Sequence, residues 1–294
     1  MRPMRILFAI PHYFAPTAEG FYASERSAPE IRAAVTKRCI ASLWQTFSGA
    51  QALFDGYRQA FRPVNPNISA TITVALCTTG ESHLLPDLEG YPFHHIATQA
   101  EPRYLGFECH KVLRSGRGQY DYFGYLEDDL RVSDPLFFVK LAWFAAQFGD
   151  DVLLQPNRYE ITGEPAPYKL YIDGNPRDPT LAATQRSGGQ PRVAATAFGR
   201  PLNFQRVDNP HSGCFFVSAS QLARWVDQPD FAVPSAAFCG PLESAATLGI
   251  ARHFRVYKPS RENAGFLEIE HLDPRYLGRQ FASVPGDPPG ITRG

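Results

Sequence analysis

Apolar residues fall into short continuous runs separated by stretches of helical periodicity, the pattern of strands covered on both faces alternating with amphipathic helices. Arg5-Ile-Leu-Phe-Ala-Ile10 is the first run, closed by Pro11 and followed by a loop rich in Pro, Gly and aromatics to about residue 28. Val35, Cys39/Ile40, Leu43/Trp44 and Phe47 recur at helical spacing and predict mostly helix over residues 29–60. Residues 71–77 and 93–98 read as second and third strands, and 103–115 as a helix ended by Gly116 and Gly118. Residues 120–126 are bulky apart from Asp121 and Gly124, and run straight into Glu127-Asp128-Asp129. Ser133-Asp134-Pro135 then supplies a cap and a first-turn proline for an apolar helix over 135–148, with another strand at 151–155.

The pattern is less regular beyond this point. Residues 164–192 are rich in Pro, Gly and polar residues, too long for an ordinary connection, and read as a mobile functional loop or a hairpin insertion. Order returns with a strand at 213–217, helices at 219–225 and 241–253, and a final strand at 266–270. The fold class is therefore α/β, a mostly parallel, Rossmann-like sheet flanked by helices with a mixed second half. One continuous domain over residues 1–284 is expected, with 285–294 a flexible tail.

Composition narrows the function classes. Lys plus Arg and Asp plus Glu are balanced at 29 each, so no bulk positive field draws the protein to nucleic acid. The 26 prolines point to fixed loops instead of disorder, because aromatics are also plentiful. Cys39, Cys77, Cys109, Cys214 and Cys239 are odd in number and never in a CxxC arrangement, which argues for reduced thiols over a disulfide framework or zinc site. No run approaches a membrane span, and 6–10 is too short for a signal-peptide core, so a cytoplasmic protein at most peripherally attached to a membrane is expected.

Three consecutive carboxylates repel one another strongly unless something positive sits among them. In open α/β sheets ligands bind outside the carboxyl ends of the strands, so this triplet is well placed to hold a hard divalent cation, Mg²⁺ or Mn²⁺. A solvated acidic turn before a helix is the alternative. Dinucleotide and ATP-hydrolysis chemistry lack their loops: there is no P-loop, and Gly116-Arg-Gly118 precedes a strand instead of following one. Ser212 is not in a GxSxG elbow, Cys214 has no His/Asn context, and His94 and His95 would face opposite sides of a strand.

Tyr122-Phe-Gly-Tyr-Leu-Glu127-Asp128-Asp129-Leu-Arg-Val-Ser-Asp134-Pro-Leu-Phe-Phe138 resembles the DxD-type segment of GT-A glycosyltransferases, in the Glu-Asp-Asp form of the N-acetylglucosaminyltransferase I family. The resemblance implies a GT-A-like fold, with a nucleotide-binding half at about 1–130 and an acceptor half at about 131–284. It makes Asp129 the direct metal ligand and sets Glu127 and Asp128 against ribose or sugar hydroxyls or metal-bound water. His271, ending the apolar row Leu267, Ile269, is either a satisfied core histidine or the late histidine that many such enzymes supply to the same cation. Glu243, in the first turn of a helix after Gly240-Pro241, resembles the inverting base in position; otherwise it is an ordinary first-turn acid.

Lys258 and Arg261 are candidates to neutralise a diphosphate leaving group, or exposed loop cations. Asn209-Pro-His211-Ser-Gly213 resembles the small-residue turn lining a sugar and acceptor cleft, which nominates His211 and Ser212. Pro11-His12-Tyr13-Phe14 would wall the nucleotide base. The expected activity is metal-dependent transfer from a nucleoside-diphosphate sugar to a glycan, lipid-linked or small-molecule hydroxyl acceptor, with inversion. The rivals are a two-domain GT-B enzyme, for which the chain is short, a nucleotidyltransferase acting on sugar phosphates, and a non-catalytic carbohydrate-binding protein.

Overall fold

The computed structural model describes residues 2–17, 22–162, 168–174 and 179–277. The expected tail at 285–294, and parts of the 164–192 stretch, lie outside the described residues. A five-stranded central sheet is built from β1 (Met4–Pro11), β2 (Ala70–Thr79), β3 (His94–Thr98), β4 (Tyr122–Leu126) and β5 (Cys214–Ser218), in the order β5-β4-β1-β2-β3. β1 to β4 are parallel and β5 closes the β4 edge in antiparallel register. The fold is α/β, as the alternating pattern predicts.

Helices cover both faces: α1 (Pro29–Phe47), α2 (Leu105–Ser115), α3 (Phe137–Phe148), α4 (Ala219–Val226) and α5 (Pro241–His253). Alternation along β1 sorts the core. Ile6, Phe8 and Ile10 pack with Cys39, Ile40, Leu43 and Phe47 of α1 and with Phe137 and Phe138 of α3. Leu7 and Ala9 face the other way, toward Cys109 and Leu113 of α2 and Ala245, Ala246 and Ile250 of α5. A strand with helices on both faces must be apolar on both, which is why 5–10 and 122–126 read as unbroken runs. Gly124 interrupts the second run because a Cβ there would stand 2.9 Å from ring carbons of both Phe8 and Phe216.

Several boundaries differ from the sequence expectation. α1 ends at Phe47, not near 60; Ala52–Asp55 and Ala60–Pro63 instead form a two-stranded hairpin, with Phe54 and Phe61 paired across it at 5.8 Å. The apolar stripe of α1 stops at Phe47, and the Asp55 side chain accepts from the Arg58 amide at 3.1 Å to make a turn. α3 begins at Phe137 instead of 135, with Leu136 at its N-cap and no side-chain cap, so the expected Ser133-Asp134-Pro135 start is not used; Asp134 accepts from the Leu136 amide at 2.8 Å in the turn before the helix. The second half holds more strands than its pattern showed. Tyr168–Tyr171, Asn157–Thr162, Glu268–His271 and Leu130–Arg131 form one mixed sheet; Arg192–Ala197, Arg200–Arg206, Arg255–Pro259 and Val152–Leu154 form another. Cys39, Cys77, Cys109 and Cys214 are reduced thiols buried in the core, and Cys239 is exposed. Among the described residues no helix is long and apolar enough to cross a membrane.

Candidate functional site

The strand order places the acidic triplet. From β1 the chain moves outward to β2 and β3 on one side, then returns to pair β4 with the other side of β1. The carboxyl ends of β1 and β4 thus lie side by side at the point where the winding reverses, the crevice where open α/β sheets bind ligands. His12 leaves β1 there, Glu127 leaves β4, and the first turns of α1 carry Arg32 onto Asp128 and Asp129 and Thr36 onto Asp128.

Asp128 is fully engaged within this cluster. The Leu84 amide donates to His12 Nε2 at 3.1 Å, so His12 carries its proton on Nδ1 and donates to Asp128 Oδ2 at 2.6 Å. Thr36 donates to the same oxygen at 3.2 Å, and the Arg32 guanidinium donates to Oδ1. Burial alone would raise the Asp128 carboxyl, but Arg32, His12 and Thr36 hold it below the usual range. His12 is fully buried and Asp128 nearly so, and both are engaged in this network. Tyr13 is half-buried and packs against the core on the α2 side.

Asp129 is held differently. Its Oδ2 accepts from Arg32 at 3.3 Å and lies 3.9 Å from His271 Nε2. Its Oδ1 is buried and has no hydrogen-bond partner among the described residues. His271 arrives because Glu268–His271 pairs antiparallel with Leu130–Arg131, putting His271 opposite Leu130, the residue after Asp129. On the neighbouring strand, Arg158 and Glu160 alternate inward. Glu160 accepts from His271 Nδ1 at 3.0 Å. Burial pushes His271 down, yet Glu160 and Asp129 hold it above its ordinary value.

Glu127 occupies a notch at Gly213. Its amide donates to the Gly213 carbonyl at 2.9 Å, and a Cβ on residue 213 would stand 2.5 Å from Glu127 Oε2. Gly213 also has a φ of +62°, so the turn demands glycine twice over. Arg158 Nη1 lies 3.8 Å from Glu127 Oε2. Burial, with Asp129 and Glu243 adding negative charge, pushes Glu127 up to about 8 against the pull of Arg158 and His271. Arg158 is itself anchored by two bonds to Asp173 Oδ1 at 3.1 and 3.0 Å.

The remaining nominated residues divide. Glu243 lies in the first turn of α5, one turn before Thr247, and its Oε2 is buried without a hydrogen-bond partner among the described residues. Its negative charge adds to the upward shift of both Glu127 and Tyr22. Lys258 is only 1% exposed and donates to Asp173 at 3.1 Å and to the His211 carbonyl at 2.6 Å. Burial lowers Lys258, and Arg158 and Lys258 together hold Asp173 at about 2 although burial opposes them. His211 is buried with Nδ1 against Thr247 Oγ1 at 2.9 Å, and burial followed by Arg158 lowers it to about 3. Ser212 donates to the Pro156 carbonyl at 2.8 Å. Arg261 is exposed at the start of the 3₁₀ segment Arg261–Phe266.

Arg32, Thr36, Arg158, Glu160 and Asp173 complete the cluster and were not nominated from sequence. Two of them carried a signal. Arg32 and Thr36 lie on the stripe of α1 that continues through Cys39, Ile40 and Leu43, and a guanidinium on an apolar stripe needs a buried partner. Among the described residues no group of three or more His, Cys, Asp or Glu is gathered tightly enough to hold a metal alone. Asp129 and His271 do fit a cation that takes two protein donors and completes its shell with water and phosphate oxygens, because the unpartnered Asp129 Oδ1 is a buried acceptor lacking a donor.

No family model matches this chain, and no curated protein does. Among solved structures, GalNAc-T7 with UDP, GalNAc and Mn²⁺ is similar over 92% of this chain and 44% of its own, with 9% identity and a TM-score of 0.46. S. aureus TarS is similar over 91% of this chain and 36% of its own, with 10% identity and a TM-score of 0.44. A CMP:2-keto-3-deoxy-manno-octonic acid synthetase complexed with CTP covers 86% of this chain and 89% of its own, with 11% identity and a TM-score of 0.38. The chain thus spans well under two thirds of TarS and GalNAc-T7. With TM-scores below 0.5 these likenesses assign no activity, and the α/β architecture rests on the strand order and register described above.

Proposed function

We propose that the protein transfers a sugar from a nucleoside-diphosphate sugar to a hydroxyl acceptor with a divalent cation, Mn²⁺ or Mg²⁺, and with inversion. The observation that carries this reading is a buried, unpartnered carboxylate oxygen, Asp129 Oδ1, at the switch point of the sheet beside His271, together with a second such oxygen, Glu243 Oε2, in the first turn of α5. Buried acceptors without donors are rare in native folds and mark places completed by something else. Asp129 and His271 would hold the cation, which when bound offsets negative charge on the leaving diphosphate.

Each other group then has a narrower task. Asp128 takes no part in binding the donor; it anchors Arg32 and keeps the first turn of α1 against the triplet. Glu127 faces the cleft beside Arg158 and contacts a ribose or sugar hydroxyl. Glu243 Oε2, in the first turn of α5, accepts the acceptor's hydroxyl proton. Lys258 and His211 hold the cleft floor through Asp173 and Thr247.

Donor binding tests the reading. Sugar nucleotides are screened by calorimetry with Mn²⁺ and with chelator, in wild type and Asp129→Ala. Binding is expected only with cation, and only in wild type; cation-independent binding that survives the substitution rejects the site. Glu243→Gln is expected to abolish transfer while leaving donor affinity within a few-fold. The released product separates the nearest rival, since a nucleotidyltransferase liberates pyrophosphate where sugar transfer liberates a nucleoside diphosphate.

A further inference from the structure

Glu160 stands on the strand Asn157–Thr162 with its side chain fully buried. Oε1 accepts from His271 Nδ1 at 3.0 Å and from the Arg275 amide at 2.9 Å. Oε2 accepts from the amides of Tyr276 and Leu277, both at 2.9 Å. Four donors converge on one side chain. An ionised carboxylate offers about four lone-pair sites and no proton of its own, so it satisfies all four. An amide in its place would turn two N–H groups toward donors.

This arrangement does two things at once. It keeps a proton on His271 Nδ1, which leaves Nε2 as the nitrogen facing Asp129 Oδ2 at 3.9 Å. It also pins the turn at 275–277, part of a segment tied elsewhere by the Leu272 amide to the Asp129 carbonyl at 2.8 Å and by Asp273 to Arg26 at 4.0 Å. The same carboxylate therefore touches the ring beside the acidic triplet and the backbone that crosses next to it.

We infer that Glu160 is a positioning residue: it aims His271 Nε2 at a divalent cation on Asp129 and, through its second oxygen, couples cation binding to the order of residues 272–277. The inference rests on the cation site proposed above. A carboxylate behind a ligating histidine fixes its tautomer and raises its basicity, and losing such a partner typically costs about 10–100-fold in metal affinity.

The test uses the full chain and Mn²⁺ alone. Free Mn²⁺ is followed by electron paramagnetic resonance, the His271 tautomer by ¹⁵N shifts, and exchange of the 275–277 amides by NMR. Glu160→Gln is expected to weaken Mn²⁺ binding by about 10–100-fold and to move the His271 proton to Nε2, an effect that loosened packing alone does not produce. In wild type, saturating Mn²⁺ is expected to slow exchange at 275–277 several-fold. Wild-type protein that binds no Mn²⁺ removes the cation site, and this inference with it. If Asp129→Asn abolishes binding while Glu160→Gln binds like wild type with its tautomer unchanged, the site stands and the role of Glu160 falls. Should Glu160→Gln fail to fold, the wild-type exchange decides alone: 275–277 amides indifferent to Mn²⁺ overturn the coupling.

Discussion

Replacing Arg32 with Met is the sharpest perturbation the site allows, because it removes one charge and little volume. Arg32 is 5% exposed and bridges two carboxylates, donating to Asp128 Oδ1 and to Asp129 Oδ2 at 3.3 Å. Without it Asp128 keeps only His12 and Thr36 as partners. Breaking a buried pair from one side costs about 3–5 kcal/mol, since the surviving charge stays desolvated. At about 2–4 °C per kcal/mol for a chain somewhat under this size, the melting temperature should fall by roughly 6–20 °C at pH 7. The sign with pH is fixed as well. In wild type the Asp128 carboxyl is depressed, so its stabilisation is present above the unfolded value near 4 and is lost as pH falls through the folded value. In Arg32→Met burial dominates and raises the carboxyl, so the variant binds a proton on folding as pH is lowered. The gap between wild type and variant must therefore narrow from pH 7 to pH 5. Urea unfolding at both values measures it; a gap below 1 kcal/mol, or one that does not change with pH, refutes the reasoning.

Three further outcomes follow from the packing. Asp173→Asn leaves Arg158 and Lys258 buried around a neutral amide and should cost about 3–5 kcal/mol. In wild type the Asp173 contribution is present above about pH 4 and lost as pH falls toward about 2, so the variant's deficit, read by urea unfolding, should shrink as pH is lowered through that range, and a deficit that stays constant refutes the assignment. Gly106→Ala should destabilise by about 1–3 kcal/mol despite alanine's better helix propensity, because the added Cβ would lie 2.5 Å from the Ala245 Cβ and 2.9 Å from Tyr125 Oη; a rise in melting temperature refutes that packing. Phe61→Ser, 77% exposed on the hairpin, should change unfolding free energy by no more than about 0.5 kcal/mol, and a larger loss would mean the hairpin is covered in solution.

How much of this was legible beforehand depends on what each residue answers to. The runs at 5–10 and 122–126 were readable because burial on both faces leaves no polar position to confuse the period. α1 was readable up to Phe47 and not beyond: Leu53, Phe54 and Phe61 are apolar but exposed, so hydrophobicity there reports no core. The strand Arg200–Arg206 buries only Leu202 and Phe204 between flanking Arg, Pro and Asn, too few alternations to stand out. At the site, the triplet stood out because three adjacent carboxylates at a strand end are costly anywhere. Its counter-charges did not. Arg32 lies 96 residues from Asp128, and Glu160 lies 111 from His271, and nothing local to either partner names the other. That Asp128 is fully partnered by Arg32, His12 and Thr36 while Asp129 keeps an unpartnered oxygen is a difference between adjacent residues that composition does not carry.

The position of β5 has a consequence for how the protein is made. β4 pairs with β1 on one edge, and its other edge stays unpaired until Cys214–Ser218 has been synthesised. At about 5–20 residues per second, that interval lasts on the order of ten seconds. During it a short, nearly all-apolar strand, Tyr122–Leu126, presents open hydrogen-bonding groups beside a half-built core. Chains released or truncated before residue 218 should therefore aggregate through this edge. Yield from an expression host should then respond to translation speed and chaperone supply over the second half of the message.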